Sequence, residues 1–219
     1  MNSEISNVIT KTGTLTVGLI CKDGIVLGAD RRASYGGSSG VSYLADKLKK
    51  IINVSDSIIA TIAGTASDGI RVLQILRAEI RLRELRTRSK VSVEEVANLL
   101  SSMSYQGIRT PSMIPQIAHF LLAGYDEEGL ALFEISPDGF LKKERGYVAS
   151  GSGIMQAHPI LDSEYKPDIT IEEGVKLITK CIRASMGRDP GVGAGIDIYT
   201  IKKGEIKEVF GKEAITEFR

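Results

Sequence analysis

The chain has 219 residues, of which 42% are hydrophobic and 25% are charged, values that suit a single folded domain with a sizeable core. Its formal net charge is +1, and no block of basic residues is interleaved with aromatic ones, so a nucleic-acid-binding role has little support. No stretch reaches the ~18 apolar residues of a membrane-spanning helix, and residues 1–13 lack the apolar core of a signal peptide, so we expect a cytoplasmic protein with no membrane partner.

An alternating apolar pattern predicts a β-hairpin near the start of the chain. Two strands within residues 14–30 flank a tight turn at residues 22–24. The hairpin brings Thr14, near the start of one strand, close to Asp30, near the end of the other. A threonine that follows a glycine, here Gly13, and faces a carboxylate suits an enzyme that cuts its own chain to expose a threonine amine.

Beyond the hairpin, the pattern predicts groups of strands that alternate with pairs of helices. Two helices open on capping boxes, Ser92–Glu95 and Thr170–Glu173. This order favours two packed sheets whose outer faces are covered by helices. The predicted strands are 57–64, 116–125, 129–136, 139–143, 147–150, 195–202 and 205–210, and the other two helices are 67–88 and 154–162.

The first predicted helix carries two apolar stripes on roughly opposite faces. One stripe can cover a sheet, whereas the other needs a neighbouring helix or another subunit as its partner. The first stripe is Val72, Leu73, Leu76 and Ile80, and the second is Ile75, Leu82 and Leu85.

Five motifs in register resemble those of proteasome β subunits. The stretch Gly13–Ser34 is similar to the start of these proteins, whose mature chains begin Thr-x-Thr-Val-Gly and continue with an Asp/Glu-Arg-Arg element. The resemblance continues, in family order, through Lys47, Ala63-Gly64, Gly151-Ser152-Gly153 and Arg188-Asp189. It covers nearly everything after residue 13.

The resemblance implies the α+β fold of the N-terminal-nucleophile hydrolases, a four-layer αββα sandwich. Residues 1–13 would be a propeptide removed by autocleavage, and residues 14–219 would form the peptidase domain. After the cut that follows Gly13, the amine of Thr14 can accept the proton of its own hydroxyl, because an α-amine with a pKa of about 7.7 to 8 is partly neutral at physiological pH. No metal or organic cofactor is needed.

The resemblance also implies roles for five residues around Thr14. Asp30 and Lys47 would form an ion pair whose lysine lowers the pKa values of the threonine hydroxyl and amine. The backbone N–H of Gly64 would stabilise the developing oxyanion, and Ser152 and Asp189 would hold the threonine amine and a nearby water.

Lys47 has two rivals close by, Lys49 and Lys50. The family lysine is followed by an aliphatic residue and, three positions further on, by another. Leu48 and Ile51 supply this pair for Lys47, which is therefore the predicted active-site lysine.

By the same resemblance, the pocket for the residue before the cut would have mostly apolar walls. Such walls favour an apolar or neutral substrate side chain, although one lysine among them weakens this prediction. The predicted lining is Ala33, Ala45, Lys49, Ile62, Ala66 and Ile70.

The implied protein is a threonine endopeptidase subunit acting on unfolded polypeptide. As in the family, seven-membered β rings would stack against rings of α subunits in an α7β7β7α7 particle, with a regulatory ATPase acting through the α ring. Val192 stands where the family usually has a serine and offers no hydrogen bond, which motivates a non-catalytic structural β subunit as the alternative. A second alternative is an HslV-like protease in six-membered rings.

The two cysteines and two histidines of the chain show no motif spacing. Cys21 and Cys181 have neither a CxxC pattern nor a histidine beside them, so we expect both to be reduced core residues. His119 and His158 are expected to be structural.

Overall fold

Two five-stranded antiparallel sheets and four helices make up most of the molecule. The structure is a computed structural model and describes residues 13–36, 42–45, 48–112 and 115–212. The strands are β1 (Thr16–Cys21), β2 (Gly24–Asp30), β3 (Ala33–Gly36), β4 (Ser42–Ala45), β5 (Ile51–Asn53), β6 (Ile58–Gly64), β7 (Ala118–Tyr125), β8 (Leu130–Ile135), β9 (Leu141–Lys143), β10 (Tyr147–Ser150), β11 (Ile196–Lys202) and β12 (Glu205–Lys212). The helices are α1 (Ala66–Thr87), α2 (Val93–Arg109), α3 (Ile154–Glu164) and α4 (Ile171–Met186).

The first sheet has the strand order β10-β1-β2-β11-β12 and contains the predicted hairpin. Thr16 pairs with Ala29 at its open end, and Cys21 pairs with Gly24 at its turn. This register places the residues before β1 beside the end of β2. The hairpin prediction is therefore confirmed.

The second sheet has the strand order β5-β6-β7-β8-β9. Its strand β6 is buried from Ile58 to Ala63, as the continuous apolar run predicts. Gly64 ends this strand with a φ of 101°, in the left-handed region that favours glycine. Strands β3 and β4 pair only with each other among the described strands, and along the chain they lie between β2 of the first sheet and β5 of the second.

Three layers of core hold the molecule together. One layer lies between α1, α2 and the second sheet, and it includes Leu76 and Phe120. Another lies between α3, α4 and the first sheet, around Ile178. The third joins the facing sides of the two sheets, where Leu27 and Leu121 are fully buried. The arrangement is an α+β sandwich with the predicted αββα order of layers.

Capping boxes open α2 and α4, as predicted. The backbone N–H of Glu95 donates to the Ser92 hydroxyl at 3.2 Å, and the N–H of Ser92 donates to the Glu95 carboxylate at 2.9 Å. The hydrogen bond from the Ser92 N–H holds the pKa of the Glu95 carboxylate below its usual value. Thr170 and Glu173 exchange the same two bonds at the start of α4. Each box satisfies two N–H groups that a helix would otherwise leave unpaired.

The second apolar stripe of α1 faces outward. Ile75, Leu82 and Leu85 are 42%, 46% and 62% exposed, whereas Leu73 and Leu76 on the other stripe are fully buried. The chain itself therefore covers one stripe of this helix and leaves the other accessible.

Both cysteines are buried and free, as expected from their spacing. Burial raises the pKa of each thiol, Cys21 and Cys181, to about 12. Among the described residues, the helices offer no segment with the length and apolarity needed to cross a membrane.

The capping box of α2 yields a prediction about stability. Ser92→Ala should lower the free energy of unfolding by about 1 kcal/mol, because the N–H of Glu95 loses its acceptor. Chemical denaturation of the purified chain measures the loss. Ser102→Ala, at an exposed position on the same helix, is the matched control and should cause no loss. Equal midpoints for Ser92→Ala and the wild type would contradict the prediction.

Candidate active site

Thr14 lies just before β1 and is only 2% exposed. Its hydroxyl donates to the carbonyl oxygen of Gly13 at 2.7 Å, and its N–H donates to the hydroxyl of Ser152 at 3.2 Å. The side chain is therefore folded back against the peptide bond that links it to Gly13. A hydroxyl in this place is close to the carbonyl group that self-cleavage would attack.

A buried lysine, Lys50, joins Thr14 to Asp30. Its ammonium donates to the Thr14 hydroxyl at 2.9 Å and to the Asp30 carboxylate at 2.7 Å. The side chains of Lys50 and Asp30 are 4% and 0% exposed. Burial lowers the pKa of Lys50, and the charge and hydrogen bond of Asp30 act in the opposite direction. Such a lysine is held in place and gives up a proton more readily than a solvated one.

Asp30 is fixed by backbone donors from three segments. The N–H of Leu15 donates to one carboxylate oxygen, and those of Arg32 and Gly193 donate to the other, each at 3.0 Å. With Lys50 as the fourth partner, both oxygens of the buried carboxylate are satisfied. These bonds fix the orientation of the Asp30 carboxylate.

The segment after β10 encloses Thr14 from another side. The hydroxyl of Ser152 donates to the Asp189 carboxylate while it accepts from the N–H of Thr14. The N–H of Gly153 donates to the carbonyl oxygen of Thr14 at 3.1 Å. Gly151 has a φ of 102°, and a Cβ atom there would lie 2.1 Å from the same carbonyl oxygen. The Gly-Ser-Gly motif is thus required for close approach and is more than a surface loop.

Gly64 lies at the end of the strand that runs beside Lys50. The N–H of Ile62 donates to the carbonyl oxygen of Lys50 at 2.9 Å, and Gly64 follows two residues later. Gly64 therefore lies on the strand next to the lysine that contacts Thr14. Its role as an oxyanion donor stays a prediction.

Among the described residues, the lysine that contacts Thr14 and Asp30 is Lys50, one of the two rivals of the predicted Lys47. Lys47 lies outside the described residues. Lys50 directly precedes β5 and already pairs with β6, which turns its side chain inward, whereas the side chain of Lys49 is 56% exposed and contacts Glu208. Aliphatic spacing could not distinguish the three lysines. The start of β5 is the missing signal, because inward and outward side chains alternate along a strand.

The six predicted pocket residues lie in different surroundings. Ile62 is 4% exposed and packs in the core beneath α1, and the ammonium of Lys49 is directed to Glu208. Ala66 and Ile70 are half-buried on the first turns of α1. Ala33 is buried and its backbone pairs with Ala45. Contact of all six with substrate stays a prediction, and Ile62 and Lys49 have other partners.

Val192 is fully buried in the core between the first sheet and its helices. Its side chain packs among apolar groups and contributes no hydrogen bond to the site.

His119 has an acidic partner that spacing along the chain could not reveal, since its Nε2 lies 3.0 Å from Glu134 on the neighbouring strand. Among the described residues, no three histidine, cysteine or acidic side chains are grouped for metal binding.

The αββα sandwich, with a threonine preceded by glycine at one end of its packed sheets, defines a protein with the N-terminal-nucleophile hydrolase fold. The sequence matches the family described as "Proteasome subunit" over residues 10–201, and the chain belongs to this family.

Curated relatives from archaea agree with this assignment. The chain is 37% identical over 210 residues to a protein of Methanocaldococcus vulcanius named "Proteasome subunit beta", covering 95% of this chain and 90% of the relative. It is 36% identical over 201 residues to "Proteasome subunit beta 1" of Thermococcus onnurineus, covering 92% and 94%. It is 33% identical over 202 residues to "Proteasome subunit beta" of Archaeoglobus fulgidus, covering 92% and 91%. The chain therefore resembles these β subunits along nearly its whole length.

The contacts of Lys50 predict how its pKa responds to substitution. Asp30→Asn should lower the pKa of Lys50 further, because it removes the neighbouring charge that opposes the effect of burial. Asp189→Asn should cause a smaller decrease, since the charge of Asp189 is the weakest contribution. The measurement is the pH titration of the 13Cε signal of Lys50, assigned from its loss in Lys50→Met. Glu205→Gln, at an exposed position, is the control, and a raised pKa in Asp30→Asn would refute the prediction.

Proposed function

We propose that the chain is a catalytic β subunit of the proteasome core, a threonine endopeptidase that hydrolyses peptide bonds of unfolded proteins. The observation that carries this proposal is the ammonium of Lys50, which bridges the Thr14 hydroxyl and the Asp30 carboxylate in a buried site. A structural threonine in a strand would not need a buried cation at hydrogen-bond distance, because burying an unneeded charge is costly.

The first reaction we propose is removal of residues 1–13. The Thr14 oxygen attacks the carbonyl carbon of Gly13, the C–N bond of that peptide breaks, and the hydroxyl proton passes to the leaving nitrogen. The product is an ester between Gly13 and the Thr14 oxygen. Water hydrolyses this ester, which leaves a carboxylate on Gly13 and a free amine on Thr14. The hydrogen bond of 2.7 Å between the Thr14 hydroxyl and the Gly13 carbonyl supports this step.

The second reaction is the cleavage of substrate. The free amine of Thr14 accepts the proton of its own hydroxyl, and the oxygen attacks the substrate carbonyl carbon. The C–N bond of the substrate then breaks, the Thr14 ammonium returns the proton to the leaving nitrogen, and an acyl ester on Thr14 remains. Lys50 lowers the pKa of the hydroxyl through its positive charge, and Asp30 keeps Lys50 charged and oriented. Ser152 and Asp189 hold the amine, and the N–H of Gly64 stabilises the oxyanion. Hydrolysis of the acyl ester by water completes the cycle without a metal or cofactor.

An assembly is part of the proposal. The exposed stripe of Ile75, Leu82 and Leu85 on α1 supports contact with another subunit, because exposed apolar side chains in a row mark interaction surfaces. By its family, the chain forms seven-membered β rings that stack against rings of proteasome α subunits, with a regulatory ATPase acting through the α ring. The particle would work in the cytoplasm on unfolded polypeptide.

One observation favours a second candidate, a structural β subunit without activity. Val192 is fully buried and replaces the hydroxyl that the family usually places near the threonine amine. Such a subunit would belong to a mixed ring, in which a related β subunit would carry out the cleavage. The two candidates differ in the state of the bond between Gly13 and Thr14.

The mass of the assembled subunit distinguishes these candidates. When the chain is expressed with its α subunits, we expect a subunit that begins at Thr14, and a Thr14→Ala variant that keeps residues 1–13 and has no peptidase activity. Intact mass and hydrolysis of a fluorogenic peptide provide the two readouts. A wild-type subunit that keeps residue 13 in the assembled particle would refute the catalytic proposal and support the structural one.

Two adjacent lysines provide a matched pair of variants. Lys50→Met should lower kcat by ~10²–10⁴-fold, because the ammonium beside the Thr14 oxygen is lost. Lys49→Met removes the same charge from a side chain that is 56% exposed, and its kcat should stay near the wild-type value. The assay uses assembled particles of confirmed size. Similar losses in both variants would show that Lys50 has no special role.

A further inference from the structure

Gly13 and Gly191 meet backbone to backbone. A Cβ atom on Gly13 would lie 2.0 Å from the Cα of Gly191 and 2.4 Å from its carbonyl carbon. A Cβ atom on Gly191 would lie 2.3 Å from the Cα of Gly13 and 2.9 Å from its nitrogen. Both sets of distances are shorter than those that a Cβ atom makes in real proteins, so each side of this contact has room only for hydrogen.

The Gly13 side of the contact is anchored at the site of cleavage. The carbonyl oxygen of Gly13 accepts from the Thr14 hydroxyl at 2.7 Å and lies 3.4 Å from the Lys50 ammonium. If Gly13 moved away from Gly191, these distances would change, and the carbonyl group would leave the place where the hydroxyl can reach it.

The Gly191 side is anchored as well. The carbonyl oxygen of Pro190 accepts from the Arg32 guanidinium at 2.8 Å. Two residues after Gly191, the N–H of Gly193 donates to the Asp30 carboxylate at 3.0 Å. The loop is thus held on both sides of Gly191, and it cannot retreat without losing contacts that also fix Asp30.

The contact exists only while residue 13 is attached to Thr14. Of the three atoms nearest to a Cβ on Gly191, two belong to Gly13, and the third is Oδ1 of Asp189 at 3.2 Å. The backbone of Gly191 is not in the left-handed region, so an alanine can adopt its conformation. After the cut, an alanine therefore requires only a few tenths of an ångström of adjustment.

We propose that Gly191 is a positioning residue for self-cleavage and is dispensable for the cleavage of substrate. It keeps open the space in which Gly13 presents its carbonyl carbon to the Thr14 oxygen. The step is the one described above, in which the C–O bond to Thr14 forms, the C–N bond breaks, and water then hydrolyses the ester. This inference rests on the proposed function, and it adds a requirement that concerns the precursor alone.

The test compares self-cleavage with peptidase activity in one variant, Gly191→Ala. In the first arm, the variant is expressed with its α subunits, and the loss of residues 1–13 is followed by intact mass. We expect processing to slow by at least about tenfold, because an added methyl group overpacks the contact with Gly13. The Gly191 N–H, which donates to Asp189 at 2.8 Å, is kept by alanine.

In the second arm, ubiquitin is fused directly before Thr14 and removed by a ubiquitin hydrolase, so Thr14 is exposed without self-cleavage. Here kcat/KM of Gly191→Ala for a fluorogenic peptide should stay within about fivefold of the wild type made in the same way. A general loss of structure would lower both the rate of self-cleavage and kcat/KM. A loss in the first arm alone therefore identifies a role in self-cleavage.

Two glycines provide controls. Gly187→Ala, where a Cβ atom would lie 3.7 Å from its nearest neighbour, should leave both the rate of self-cleavage and kcat/KM unchanged. Gly151→Ala should impair both arms, because its Cβ would lie 2.1 Å from the Thr14 carbonyl oxygen, which is present before and after the cut.

The outcomes separate the inference from the proposed function. If the wild type processes and Gly191→Ala processes equally fast, the inference is wrong while the peptidase proposal stands. Equal losses in both arms would also overturn it, since Gly191 would then serve the mature site. A wild-type chain that never loses residues 1–13 would refute both.

Discussion

The burial of the Lys50 ammonium is the constraint on which the site depends. A buried cation costs several kcal/mol unless it is paired and hydrogen-bonded, and Lys50 meets this condition through Asp30, Thr14 and the carbonyl oxygen of Gly13. The Asp30 carboxylate in turn needs the N–H groups of Leu15, Arg32 and Gly193. These three donors belong to separate segments, so one charge pair fixes where β1 begins, where β2 ends and how the chain enters β11.

The same pair links the two sheets. Thr14, Asp30 and Ser152 belong to the end of the first sheet, whereas Lys50 and Gly64 belong to the second. The contact between Lys50, Thr14 and Asp30 is therefore complete only when the sheets are packed face to face, so it depends on the apolar layer between them.

Periodicity predicted most of this fold and part of the site. The hairpin register placed Thr14 beside Asp30, and the capping boxes at Ser92 and Thr170 marked helix starts, because these features depend on residues near in sequence. Lys50 could not be chosen among three lysines without knowing where β5 begins. The meeting of Gly13 with the loop after α4 was equally hidden, since contacts between remote glycines leave no pattern of their own.

The two buried thiols have a consequence for how the protein can be handled. With pKa values raised to about 12, Cys21 and Cys181 stay protonated at physiological pH, and a protonated, enclosed sulfur reacts poorly with oxidants and alkylating agents. Both thiols should therefore resist oxidation and alkylation in the folded chain. A cysteine introduced on its surface would be a unique attachment point for dyes or crosslinkers, with no need to remove the native ones.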